Sequence, residues 1–89
     1  MVLTLQYRLG ALGWLAHPAF VDTPGVALAN RGLLDQQQAL RWLASHIAGF
    51  GGDPSRMMLF GESAGAVDVG LHLALPQSRG LISGAILQS

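Results

Sequence analysis

A single serine lies in a pattern that favours nucleophilic chemistry. Ser63 is the central residue of Gly61-Glu62-Ser63-Ala64-Gly65, which fits the pattern G-x-S-x-G. In its usual context a strand leads into a sharp turn, the serine lies on that turn, and a helix follows directly. The N–H of Ala64, at the positive end of that helix, is then placed to stabilise a developing oxyanion. The pattern predicts a nucleophile at Ser63, and at Gly61 and Gly65 positions that have no room for a Cβ.

Two interpretations of this pattern stay open, because the same glycines also suit a tight turn in which Ser63 only caps a helix. A serine nucleophile needs a histidine base within about 3 Å, and an acid that orients the base. His72 lies nine residues further along the predicted helix, roughly 13 Å away along its axis. His17 and His46 precede the serine, against the usual chain order for this motif, and Asp68 has no base to orient. We expect the base, the acid and part of the oxyanion hole to lie outside these 89 residues, so that the isolated chain is inactive.

Strands and helices alternate around this turn. Apolar runs predict three strands, over residues 2–7, 57–60 and 84–88. Helical spacing predicts a helix that begins near Leu33 with Asn30 as its cap, and a second helix over 64–75 that Pro76 ends. Residues 9–29 are expected to be mostly loop. The order predicts an α/β protein with a parallel sheet, and so few elements cannot cover their own faces, which predicts a fragment of a larger domain.

The composition excludes several classes of protein. The chain is 51% hydrophobic and 11% charged, which is not the composition of a disordered chain. Five arginines balance five acidic residues and there is no lysine, which argues against a nucleic-acid partner. The absence of cysteine excludes disulfides and cysteine-based zinc sites, and no metal or other cofactor is expected. No apolar run approaches the ~18 residues of a transmembrane segment, and Met1 is not followed by the basic n-region and cleavage site that are typical of a signal peptide.

Beyond the serine motif, blocks along nearly the whole chain resemble the type B carboxylesterases, the family that includes the cholinesterases. These blocks are residues 7–13, 32–36, 39–42, 50–54, 59–65, 79–81 and 85–89. The resemblance implies an α/β-hydrolase fold, of which residues 1–89 would be a partial domain, truncated at both ends. The segment would cover less than a fifth of a full-length member.

The resemblance also implies a function and a set of site residues. The function is a serine carboxylic-ester hydrolase that acts on a small-molecule ester through an acyl-enzyme on Ser63. Ala64 N–H would be one oxyanion donor, and Glu62 the acidic neighbour with an electrostatic and structural role. Arg8 and Asp35 match an arginine and an aspartate that form a buried structural salt bridge in the family.

Two residues depart from the family pattern, and two alternatives to an esterase remain. Trp14 stands where the family usually has phenylalanine, and Asp68 where a small serine is common. One alternative is a non-catalytic adhesion or scaffold protein with a cholinesterase-like domain; such proteins commonly lose the serine that this chain keeps. The other is a truncated, non-functional product. Secretion is common in the family, and the sequence leaves the localisation and the ester substrate open.

Overall fold

The computed structural model describes residues 1–23, 26, 27 and 29–89. Residues 2–38 form one compact unit. Residues 39–89, together with Met1, form another.

The first unit contains short elements and the beginning of a long helix. Helix α1 spans Gly10–Trp14, and strands β1 (Val21–Thr23) and β2 (Val26–Ala27) form an antiparallel pair. Helix α2 spans Arg31–His46, the last part of which belongs to the second unit. The expectation of a loop over residues 9–29 is therefore wrong for these short elements, which are too brief to show a periodic pattern in the sequence.

The strand predicted over residues 2–7 is not formed in the described structure, where residues 1–9 have no regular secondary structure. A strand is defined by its hydrogen-bonded neighbour, and an apolar run alone does not supply one. Helix α2 begins at Arg31, two residues before the predicted start. Asn30 directly precedes it with a positive φ of 56°, and its carbonyl accepts the N–H of Leu34 at 3.1 Å.

The second unit contains the strands and helices around Ser63. After α2, a 3-10 turn spans Ile47–Phe50 and ends at Gly51. The elements that follow are β3 (Met58–Glu62), α3 (Ala64–Ala74), α4 (Pro76–Arg79) and β4 (Gly84–Gln88). Strands β3 and β4 pair in parallel from Met58↔Gly84 to Glu62↔Gln88. The described residues thus contain two parallel strands and not the three that we predicted.

Helix α3 packs against one face of the β3–β4 sheet. Its buried residues Ala66 and Val69 join Leu40 and Ile47 in the apolar core. Pro76 ends α3 as predicted, since a proline disfavours helical angles at the residue before it, and Leu75 has φ −82° and ψ 123°. The same proline begins α4, because the first position of a helix tolerates a residue without an N–H.

The other face of this sheet is apolar and exposed. Side chains alternate between the two faces of a strand, so Met58 and Phe60 on β3 share a face with Ile86 on β4. Their exposed fractions are 60%, 54% and 47%. This face, made of Met58, Phe60 and Ile86, is called the open sheet face below.

Candidate active site

Ser63 lies on the turn between β3 and α3, where the backbone takes an unusual conformation. Its φ is 54° and its ψ is −118°, which costs a residue other than glycine about 1–3 kcal/mol. The turn is held from both sides. The N–H of Ser63 donates to the carbonyl of Gln88 on β4 at 2.8 Å, and its carbonyl accepts the N–H of Ala66 at 2.9 Å. The side chain of Ser63 is exposed, so a fixed backbone presents an accessible hydroxyl.

The two glycines of the motif have different surroundings. A Cβ on Gly61 would lie 2.4 Å from the carbonyl carbon and oxygen of Gly65, a distance at which the backbone itself would have to move. A Cβ on Gly65 meets no atom within 4 Å. The expectation that both positions lack room is right for Gly61 and wrong for Gly65, because Gly61 approaches the backbone of the helix while the space beside the Cα of Gly65 is open.

The neighbours of Ser63 are placed by the end of the strand and the start of the helix. Ala64 is the first residue of α3, and the first N–H groups of a helix have no acceptor within the helix. That N–H therefore lies where the partial positive charge of the helix is largest. Glu62 is the last residue of β3, opposite Gln88, and its side chain is exposed. A donor and an acidic side chain thus flank the serine along the chain.

The three histidines make local contacts of their own. Nδ1 of His17 accepts the N–H of Ala19 at 3.0 Å, and Nδ1–H of His46 donates to the carbonyl of Trp42 at 2.8 Å. The ring of His46 also stacks on the indole of Trp42, with centroids 4.5 Å apart.

His72 is 1% exposed near the far end of α3, and its Nδ1 lies 2.9 Å from Oγ of Ser78 on α4. Burial lowers the pKa of His72 below its usual 6.5, whereas the negative charge of Asp68 acts to raise it. Sequence reasoning missed the contact with Ser78, although Pro76 signals the start of the short helix that carries this serine.

In the first unit, Arg8 and Asp35 form a bidentate ion pair. Nε and Nη2 of Arg8 donate to the two carboxylate oxygens at 2.8 and 2.7 Å, and the backbone N–H of Arg8 donates to the same carboxylate at 3.0 Å. These hydrogen bonds lower the pKa of Asp35 from 3.8 to about 2. The side chains are 54% and 26% exposed, so the expectation that the pair is buried is wrong in the described structure.

Trp14 contributes to the same arrangement. Its indole N–H donates to the carbonyl of Arg8 at 3.1 Å, and its ring packs edge-on against Tyr7. A phenylalanine, which the resemblance led us to expect at this position, has no N–H and could not make this hydrogen bond. The departure at Trp14 therefore adds a contact to the backbone of the residue that forms the ion pair.

Neither a metal site nor a membrane span is found in the part of the chain that the structure describes. Its histidine and acidic side chains form no group of three that could hold an ion. Its helices are also too short or too polar to cross a bilayer.

A strand, a sharp turn with an exposed serine and a helix are the arrangement found around the nucleophile of α/β-hydrolases. Comparison with known proteins agrees with this class. The family model described as "Carboxylesterase family" matches residues 1–89. The chain is 53% identical over its full 89 residues to a mouse protein named cholinesterase, and spans 14% of the length of that protein. The chain belongs to the carboxylesterase family, which confirms the resemblance inferred from the sequence.

Proposed function

We propose that the chain supplies the nucleophile of a serine carboxylesterase with an α/β-hydrolase fold. The observation that carries the proposal is the exposed Ser63 on a strained turn between a parallel strand and a helix, in a chain of the carboxylesterase family. A strained backbone held from both sides is typical of functional positions. Glu62 would act as the acidic neighbour, and the segment would be one part of a larger catalytic domain.

In the proposed reaction Oγ of Ser63 forms a bond to the carbonyl carbon of the ester. A base takes the hydroxyl proton, and the carbonyl oxygen becomes an oxyanion that the N–H of Ala64 helps to stabilise. The alcohol leaves with a proton as the ester C–O bond breaks, and water then hydrolyses the acyl-enzyme to release the acid. His72 is buried against Ser78, so the base and the acid that orients it would come from elsewhere in the domain.

The test is covalent labelling of Ser63 with a fluorophosphonate in the whole protein that contains this segment. We expect labelling at Ser63, located by mass spectrometry of the peptide, and hydrolysis of simple esters. Ser63→Ala should abolish the labelling and reduce ester hydrolysis at least 10³-fold, as the loss of a nucleophile does in serine hydrolases. Ser45→Ala is the matched control, because Ser45 is an exposed serine on α2.

Two outcomes would overturn the proposal. The first is a folded protein that hydrolyses esters at the same rate with and without Ser63. The second is a folded protein that neither reacts with the probe at Ser63 nor hydrolyses esters, which would favour a non-catalytic scaffold. The isolated 89-residue chain should show no ester hydrolysis above buffer, since His72, the histidine that follows Ser63 in the sequence, is buried against Ser78 and the base is proposed to lie elsewhere in the domain.

A further inference from the structure

A cleft of about 430 Å³ opens beside helix α1 in the first unit. This volume lies within the range of small-molecule sites, which is about 300–1,000 Å³. The walls combine apolar side chains with two guanidinium groups, and such a mixed lining is typical of a site for a molecule with an apolar body and a polar end. The cleft, called the α1 cleft below, is lined by Arg8, Ala11, Leu12, Leu15, Phe20 and Arg31.

The apolar wall of the α1 cleft comes from helix α1 and the segment that follows it. Ala11 and Leu12 lie on α1, Leu15 comes directly after the helix, and Phe20 completes the wall. Leu12 is 82% exposed and Leu15 is 45% exposed. An apolar chain that covers these side chains removes apolar surface from water, which favours binding.

The two guanidinium groups differ in the charge that they leave to a ligand. Arg8 forms the bidentate pair with Asp35, and the lowered pKa of Asp35 keeps this carboxyl ionised at neutral pH. The half-buried Arg31 instead lies over the ring of Phe20, with its Cζ 5.0 Å from the ring centre. In the described part of the chain Arg31 forms no ion pair, so its positive charge is not offset by a carboxylate there.

This arrangement favours a singly charged carboxylate as the polar end of the ligand. An aromatic ring can hold a guanidinium in place while its N–H groups stay available as donors. Those N–H groups match the two oxygens of a carboxylate, with which arginine forms paired hydrogen bonds. Only one positive charge is not offset, so a doubly charged anion would leave part of its own charge desolvated without a partner.

We propose that the α1 cleft binds the ionised form of a medium-chain fatty acid. Arg31 donates to the carboxylate, and the chain lies against Leu12, Leu15 and Phe20. Phe20 also holds the guanidinium of Arg31 beside the apolar wall. The cleft does not include Ser63, so this binding does not depend on the proposed role of Ser63 as nucleophile.

The test is photo-crosslinking in the whole protein that contains this segment. The probe is octanoate that carries a diazirine on its chain, and mass spectrometry locates the crosslinked residues. We expect crosslinks within residues 11–20 that unmodified octanoate suppresses. Octanol has the same chain length without the charge, and should be at least about tenfold less effective as a competitor. Ser63→Ala should give the same crosslinks as wild type.

Variants of Arg31 test whether its charge is what holds the ligand. Arg31→Gln keeps a polar side chain without the charge, and should raise the octanoate concentration needed for half suppression at least about tenfold. Arg31→Lys should restore part of the affinity, because it returns the charge without the paired donors of a guanidinium. Arg41→Gln is the matched control, since Arg41 is an exposed arginine on the same helix and does not line the cleft. Circular dichroism checks that each variant is folded.

Three outcomes would overturn the proposal. The first is a folded wild-type protein without crosslinks in residues 11–20, in which the cleft is not available to the probe. The second is equal suppression by octanoate and octanol, and the third is equal affinity of wild type and folded Arg31→Gln for octanoate. A protein that crosslinks at the cleft but hydrolyses no ester would instead contradict the proposed function and leave the fatty-acid site standing.

Discussion

At the scale of single residues, we expect alanine substitutions at the two glycines of the motif to change the free energy of unfolding in opposite directions. Gly61→Ala places a methyl group 2.4 Å from the backbone of Gly65, so the β3–α3 turn must shift. We expect a loss of about 1–3 kcal/mol in the free energy of unfolding, which is typical when a close-packed site is overfilled. Denaturant unfolding of the whole protein measures this loss, and labelling of Ser63 should decrease in parallel.

Gly65→Ala is the matched control for this prediction. It adds the same methyl group in open space on a helix, where replacing glycine with alanine favours folding by roughly 0.5–1 kcal/mol. The free energy of unfolding should therefore stay the same or increase. Equal losses for the two variants would contradict the geometric difference between Gly61 and Gly65.

The sequence could predict some of these residues because their requirements are local. The sharp turn at Ser63 and the close approach of Gly61 to the helix follow from the motif, since the turn is built within a few residues of the chain. The contact between His72 and Ser78 could not be predicted, because it depends on the angle between two helices, which Leu75 and Pro76 set. The open space beside Gly65 also depends on what surrounds α3 and not on the motif.

At the scale of elements, the Arg8–Asp35 pair links α2 to the segment before α1. The pair is bidentate, but the side chain of Arg8 is 54% exposed, so solvent weakens the attraction. We expect a coupling free energy of about 0.5–1 kcal/mol between Arg8→Met and Asp35→Asn in a double-mutant cycle at pH 7. A coupling of several kcal/mol would show that the pair is buried in the whole protein.

The same pair gives a pH dependence with a definite sign. The pKa of Asp35 is lower in the folded chain, at about 2, than its unperturbed value of 3.8. Below pH 4 Asp35 binds a proton more readily in the unfolded state than in the folded state. The stabilisation of the folded state by ionised Asp35 is therefore present above that pH and is lost as the pH falls from 3.8 to 2. The difference between the free energies of unfolding at pH 5 and pH 3 should be smaller for Asp35→Asn than for wild type. An equal difference for both proteins would assign the acid sensitivity to other groups.

How accurately an element was predicted depends on how far apart in the sequence the residues lie that define it. Helices α2 and α3 and strands β3 and β4 begin and end within about two residues of the predictions at most of their ends, because periodicity and breakers such as Pro76 act locally. The predicted strand over residues 2–7 failed because a strand depends on a neighbour that the sequence does not reveal. The short antiparallel pair of β1 and β2 was missed because segments of two or three residues are too short to show a periodic pattern.

At the scale of the whole molecule, the chain exposes surfaces that a folded domain normally covers. The open sheet face presents Met58, Phe60 and Ile86, and on α3 Val67 and Leu71 are 64% and 42% exposed. The chain spans 14% of the length of the mouse cholinesterase that it matches. In a domain of the carboxylesterase family of that size, we expect the open sheet face and the outer side of α3 to be packed against further elements.

The isolated chain should therefore associate through its apolar surface. Expressed alone, residues 1–89 should bind a hydrophobic dye and sediment as oligomers, because contiguous apolar surface and unpaired strand edges favour association. Phe60→Lys places a charge on the open sheet face and should reduce dye binding severalfold. Gln77→Lys adds the same charge at an exposed position on α4 and should leave dye binding unchanged. If the isolated chain were a monomer that unfolds cooperatively without binding dye, the two strands and their helices would suffice as a domain, and the open sheet face would need no partner.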